Sequence, residues 1–112
     1  MKRKIYYVKI KRPIKHFYQR LTRGFDDSET WNLDFEISKF ILPRLERFKE
    51  ISLTHPTELT EKEWDDILDK MIYSFYMNTV INDLKIPEYQ KVYDKIEDGF
   101  KLFSKYFWNL WW

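Results

Sequence analysis

An all-α fold of four helices is the class this sequence predicts, and three observations lead to it. Only two Gly and four Pro occur in 112 residues, too few for the turns of a strand-rich sandwich or barrel. Apolar residues recur at spacings of three and four along most of the chain, the period of one helix face rather than of a strand. Asp26 and Thr60 are each followed three positions later by Glu, just ahead of an apolar stripe, as at capped helix starts. At 112 residues and 14.1 kDa the chain suits a single helical domain over residues 1–112. A hydrophobic content of 44% with 20% aromatic residues supplies the core that disordered chains lack.

The elements follow in order. Residues 1–12 include IYYVKI ahead of Pro13, a β-branched and aromatic run that reads as a short extended basic arm. Pro13 has the fixed φ of a first helical position, and Ile14, Phe17, Tyr18 and Leu21 give a stripe over 13–23 that Gly24 ends. Asp26 with Glu29 starts a second helix over 27–50, with the stripe Leu33, Ile37, Phe40, Ile41, Leu45 and Phe48 and a kink at Pro43. Thr60 with Glu63 is the firmer capping box, and Leu59 with Trp64 matches a hydrophobic staple. The third helix covers 60–82 with Trp64, Ile67, Leu68, Met71, Ile72 and Phe75 inward. Pro87 opens the fourth, 87–110, with Gly99 as its one weak point. The central stripe members Phe40, Leu45, Trp64, Leu68, Ile72, Ile96 and Phe103 are expected to be buried together.

The net charge of +2 hides a segregation. Residues 1–24 hold nine Lys and Arg and no acid, whereas residues 25–69 hold thirteen acids against five bases. Such a basic end suits nucleic acid, nucleotide phosphates or the acidic middle of a chain like itself. Cys is absent and His16 and His55 are the two imidazoles, which removes disulfides, thiolate metal sites and Cys nucleophiles. No apolar run reaches the roughly 20 residues of a membrane span, so no membrane partner and a cytoplasmic location are expected.

Three blocks carry a resemblance: RGFDDSETWNLDFEISKFILPRLERFKE, LTEKEWDDILDKMIYSF and DKIEDGFKLFSKYFWNLW. In that order they resemble a family of small bacteriophage-encoded proteins of unassigned function. The resemblance implies an accessory protein acting inside a bacterial host and supplies no catalytic motif.

The candidate chemistry is modest. Asp65 and Asp69, one turn apart, have the spacing to hold a hard cation, but acids near helix starts are accounted for by capping and the macrodipole; no metal and no cofactor are expected. Arg20, Arg23, Arg44 and Arg47 offer forks for carboxylate or phosphate and Trp31 a stacking surface, so these five form the candidate ligand-binding set. Lys4, Tyr6, Tyr7, Lys9, Lys11 and Arg12 interleave cations with rings and form a nucleic-acid alternative. Phe107, Trp108, Trp111 and Trp112 exceed what one helix end covers and are expected at a homo-oligomer interface, a dimer in the first instance. The function expected is therefore non-enzymatic: counter-defence or host takeover, by binding a host protein or sequestering a nucleotide signal. A nucleic-acid-binding accessory protein and a structural or assembly component of the phage particle are the alternatives.

Overall fold

The computed structural model describes the backbone of residues 2–81 and 89–112 and the side chains of residues 12–81 and 90–112. Among the described residues the regular structure is helical throughout, in the order α1 (Lys2–Arg23), a 3-10 turn (Asp27–Thr30), α2 (Leu33–Ile51), α3 (Glu61–Val80), α4 (Tyr89–Lys105) and a final 3-10 turn (Phe107–Asn109). The four-helix, all-α class is the one the periodicity indicates. Contacts divide the chain into two compact units, residues 1–36 and 37–112.

In the first unit the helical backbone begins at Lys2, ahead of Pro13, and residues 1–11 are compatible with a short N-terminal arm. Pro13 is inside the helix; its φ fits, while it withholds one amide hydrogen and its ring crowds the carbonyl four residues back. Gly24, at φ +83°, ends α1 and its amide donates to the Arg20 carbonyl at 3.0 Å, a left-handed cap that a Cβ would strain. The Asp26–Glu29 box forms as read, Ser28 N–H donating to Asp26 Oδ1 at 2.8 Å and Asp26 N–H to Glu29 Oε2 at 2.6 Å. It caps the 3-10 turn, however, and α2 starts only at Leu33.

In the second unit α3 is central. Thr60 and Glu63 exchange hydrogen bonds of 3.1 and 3.0 Å at its start, and Leu59 packs against the cluster that contains Trp64. The core joins Leu45 of α2, Trp64, Leu68, Met71 and Phe75 of α3, and Tyr106 after α4. A smaller cluster of Met77, Ile81 and Ile96 continues it. Phe75 meets Phe100 and Phe103 edge to face at 5.1 and 5.0 Å, and Trp64 meets Tyr106 likewise at 5.6 Å.

Of the expected core residues, Leu45, Trp64, Leu68 and Ile96 are buried and Ile72 and Phe103 pack against them half-buried. Phe40 is a correction: it is 60% exposed. The inward face of α2 runs through Ser38, Ile41, Leu42, Leu45 and Phe48, rotated from the stripe of Leu33, Ile37 and Phe40, all three of which are exposed. Ser38 is buried because its hydroxyl accepts from Asn78 Nδ2 on α3 at 2.9 Å, which satisfies the polar group. The expected third-helix end at 82 and the Pro87 start lie outside the described residues.

Candidate functional site

The first unit gathers four of the sequence candidates. Arg20, Arg23, Arg12 and Trp31 all meet around the turn that follows α1, on the face of the helix set by the spacing of Arg12, His16, Gln19, Arg20 and Arg23. Arg20 pairs with Asp26, which is buried and also takes the Ser28 hydroxyl. Arg23 reaches Asp27 at 2.6 Å and the Phe25 carbonyl at 3.1 Å. Gln19 grips Asp27 twice, its Nε2 donating to the carboxylate at 2.9 Å and its Oε1 accepting from the Asp27 amide at 2.8 Å. Lys15 adds a weaker ion pair at 3.5 Å. The Trp31 ring is 62% exposed, with the Arg12 guanidinium 4.8 Å from its centroid and His16 edge-on at 5.7 Å.

These contacts hold both carboxyls below the usual range. For Asp26 the Ser28 hydroxyl has the largest effect, followed among the stabilising contacts by the Arg20 guanidinium. Asp27 falls to about 2, chiefly through the Gln19 amide and then Arg23. The arginines proposed for phosphate are thus neutralised by acids a few residues along the chain.

Arg44 and Arg47 belong to the second unit. Arg44 lies over the Phe40 ring, 3.7 Å from its centroid, and donates to the Phe40 carbonyl at 2.8 Å. Arg47 pairs with Glu50 one turn on, at 3.0 Å. Each is therefore engaged on its own helix. The side chains of Lys4, Tyr6, Tyr7, Lys9 and Lys11 lie outside the described residues, and of that set only Arg12 is placed.

The acidic face of α3 meets a base as well: Lys49 of α2 donates to Asp69 at 2.6 Å. Its ammonium pKa is raised by that bond first, and by the nearby charges of Asp65 and Asp66. Among the described residues no group of three His, Asp or Glu side chains is gathered as a metal site would need. A shallow cavity of about 320 Å³ is lined by Asp69, Lys70, Tyr73, Lys95 and Asp98. Its charges balance, and no nucleophile is paired with a base in it.

The chain after α4 presents exposed apolar side chains. After α4, Leu110 turns inward to the core while Trp108, Trp111 and Trp112 are 84%, 66% and 66% exposed and Phe107 is half-exposed. The Thr54 hydroxyl donates to the Trp111 carbonyl at 3.2 Å, which anchors this tail beside the loop that carries the exposed Leu53. Leu53 was missed in the sequence because an isolated Leu in a loop belongs to no stripe.

No family model, curated protein or solved structure matches the chain. The described residues define an all-α protein in which Arg20, Arg23, Arg47 and Lys49 are ion-paired and aromatic side chains are exposed after α4, and no helix among them is long and apolar enough to cross a membrane.

Proposed function

We propose that this protein is a non-enzymatic binding protein that works by protein–protein contact, in the accessory role inside a bacterial host that the resemblance to phage-encoded proteins implies. The observation that carries the reading is the contrast at its surface. Of the four arginines suited to phosphate, Arg20, Arg23 and Arg47 are occupied by Asp26, Asp27 and Glu50 and Arg44 stacks on Phe40, whereas Phe107, Trp108, Trp111 and Trp112 present exposed rings. Exposed aromatic clusters are what interface cores are built from. This favours contact with a protein over sequestration of a nucleotide, and a homo-dimer seam at these rings is part of the reading.

Light scattering at micromolar concentration on the intact chain and on a Trp108→Ser/Trp111→Ser variant tests it. A dimer for the first and a monomer for the second are expected; a monomeric intact chain overturns the seam. Crosslinking in a bacterial host followed by mass spectrometry then tests the host factor, the expected result being one stoichiometric partner that recurs between preparations.

Nucleic-acid binding is kept as a second reading on one observation: α1 contains nine Lys and Arg and no acid. Its mark is steep loss of oligonucleotide binding with salt.

A further inference from the structure

α1 divides its surface sharply. The side chains that meet the following turn, Arg12, Lys15, His16, Gln19, Arg20 and Arg23, occupy one side of the helix. Ile14, Phe17, Tyr18 and Leu21, at i, i+3, i+4 and i+7, occupy the other, and they are 65%, 57%, 66% and 70% exposed. The helical backbone runs on toward the N-terminus to Lys2, and in the sequence the same spacing of four and three continues back through Ile10 and Tyr7. Nine basic residues and no acidic one lie in this helix, and among the described side chains Lys15, Arg20 and Arg23 pair with Asp26 and Asp27 in the turn that follows.

We propose that α1 is an in-plane binding helix for an anionic lipid surface, with the Ile14, Phe17, Tyr18 and Leu21 face entering the boundary between headgroups and acyl chains. An aromatic and aliphatic face backed by Lys and Arg, too polar overall to cross the bilayer, is the composition such helices share. Charge selects the occupant. The α1 of a second copy would bring nine cations against nine, whereas anionic headgroups complement a helix whose sequence holds nine bases and no acid. Nucleic acid is held through cations and would leave the exposed Ile14, Phe17, Tyr18 and Leu21 face uncovered. The absence of a spanning helix among the described residues concerns crossing and leaves in-plane binding open.

The test is sedimentation of the full chain with phosphatidylcholine vesicles containing about a third phosphatidylglycerol, and with pure phosphatidylcholine vesicles. Binding to the first and much weaker binding to the second are expected, with binding reduced about tenfold or more in Phe17→Gln/Leu21→Gln. Both positions are exposed, so the variant is expected to keep its circular dichroism, and Phe40→Gln, at an exposed position of α2, serves as a variant that retains binding. Lack of partition to anionic vesicles overturns the proposal, as does equal partition to both kinds. It is overturned too if the wild-type chain is a dimer that Phe17→Gln/Leu21→Gln turns into a monomer, or if that variant binds anionic vesicles as the wild type does. Success or failure here is separate from the seam at Trp108 and Trp111, which light scattering reads.

Discussion

Gly99 sits inside α4, where an exposed helical position gains about 1 kcal/mol when Gly becomes Ala. The packing of α4 on α3 reverses that sign. A Cβ at Gly99 meets Ser74 Oγ at 1.8 Å, the Lys70 carbonyl oxygen at 2.3 Å and Ser74 Cβ at 2.8 Å. The serine hydroxyl can rotate; the Lys70 carbonyl is helix backbone and cannot, so α4 must withdraw by about 1 Å to restore ordinary contact. Withdrawal loosens the Phe75 contacts to Phe100 and Phe103 and stretches the 2.7 Å bond from the buried Ser74 hydroxyl to the Ile96 carbonyl. Overpacking of this kind costs about 1 to 3 kcal/mol, and weakening a buried hydrogen bond adds about 1 kcal/mol. Against a propensity gain of about 1 kcal/mol, Gly99→Ala is expected to lose about 1 to 3 kcal/mol. Urea unfolding followed by circular dichroism reads this as a midpoint lower by about 1 M or more, with Asp98→Ala, one residue away on the exposed side, nearly unchanged. A midpoint that rises for Gly99→Ala refutes the close approach of α3 and α4.

Two further outcomes are expected. Leu68→Ala, at 1% exposure among Leu45, Trp64 and Met71, should lose about 2 to 5 kcal/mol, whereas Phe40→Ala should lose less than about 1 kcal/mol, mostly its stacking with Arg44; equal losses in urea unfolding would mean that the inward face of α2 has been misassigned. Asp27 is depressed to about 2 from 3.8, so its contribution is fully present above pH 4 or so and disappears as the pH falls from about 4 toward 2. The Trp31 indole resonance should report loosening of the turn after α1 in that window, and Asp27→Asn should show it already loosened at pH 6; an indole signal indifferent to both would count against the Gln19 and Arg23 contacts.

Where the sequence was legible, the controlling interactions are local. The Thr60–Glu63 box and the stripe of α3 are set by residues three and four apart, and the structure reproduces them. The Asp26–Glu29 box was legible for the same reason, yet its bonds serve a single 3-10 turn, because a capping box satisfies amides without dictating how far the helix beyond it continues. α2 shows where periodicity fails. It carries two apolar rows, Leu33–Ile37–Phe40 and Ile41–Leu42–Leu45–Phe48, and the choice between them turns on Ser38 finding Asn78 forty residues away. In the sequence Gly99 reads as a weak point for helix formation because propensity is a property of one helix, whereas the contact that requires glycine belongs to two.

The candidate site was legible in its members and illegible in their allegiance. Arg20, Arg23 and Trp31 do come together, but beside Asp26 and Asp27, and the resulting ion pairs change what the cluster can do. A carboxylate held within six residues of an arginine acts at an effective concentration in the millimolar range or above, so a phosphate ligand present at micromolar levels competes poorly unless it brings several contacts at once. The same reasoning explains why the hydrophobic side of α1 becomes the more informative surface. Lys15, Arg20 and Arg23 have partners within the chain, while Ile14, Phe17, Tyr18 and Leu21 stay more than half exposed, and exposed rows of large apolar side chains on a helix are retained at a cost in solubility that a binding role offsets. Function in this protein is therefore to be sought on its bare apolar faces first, at α1 and at the tryptophans after α4, and only second at its arginines.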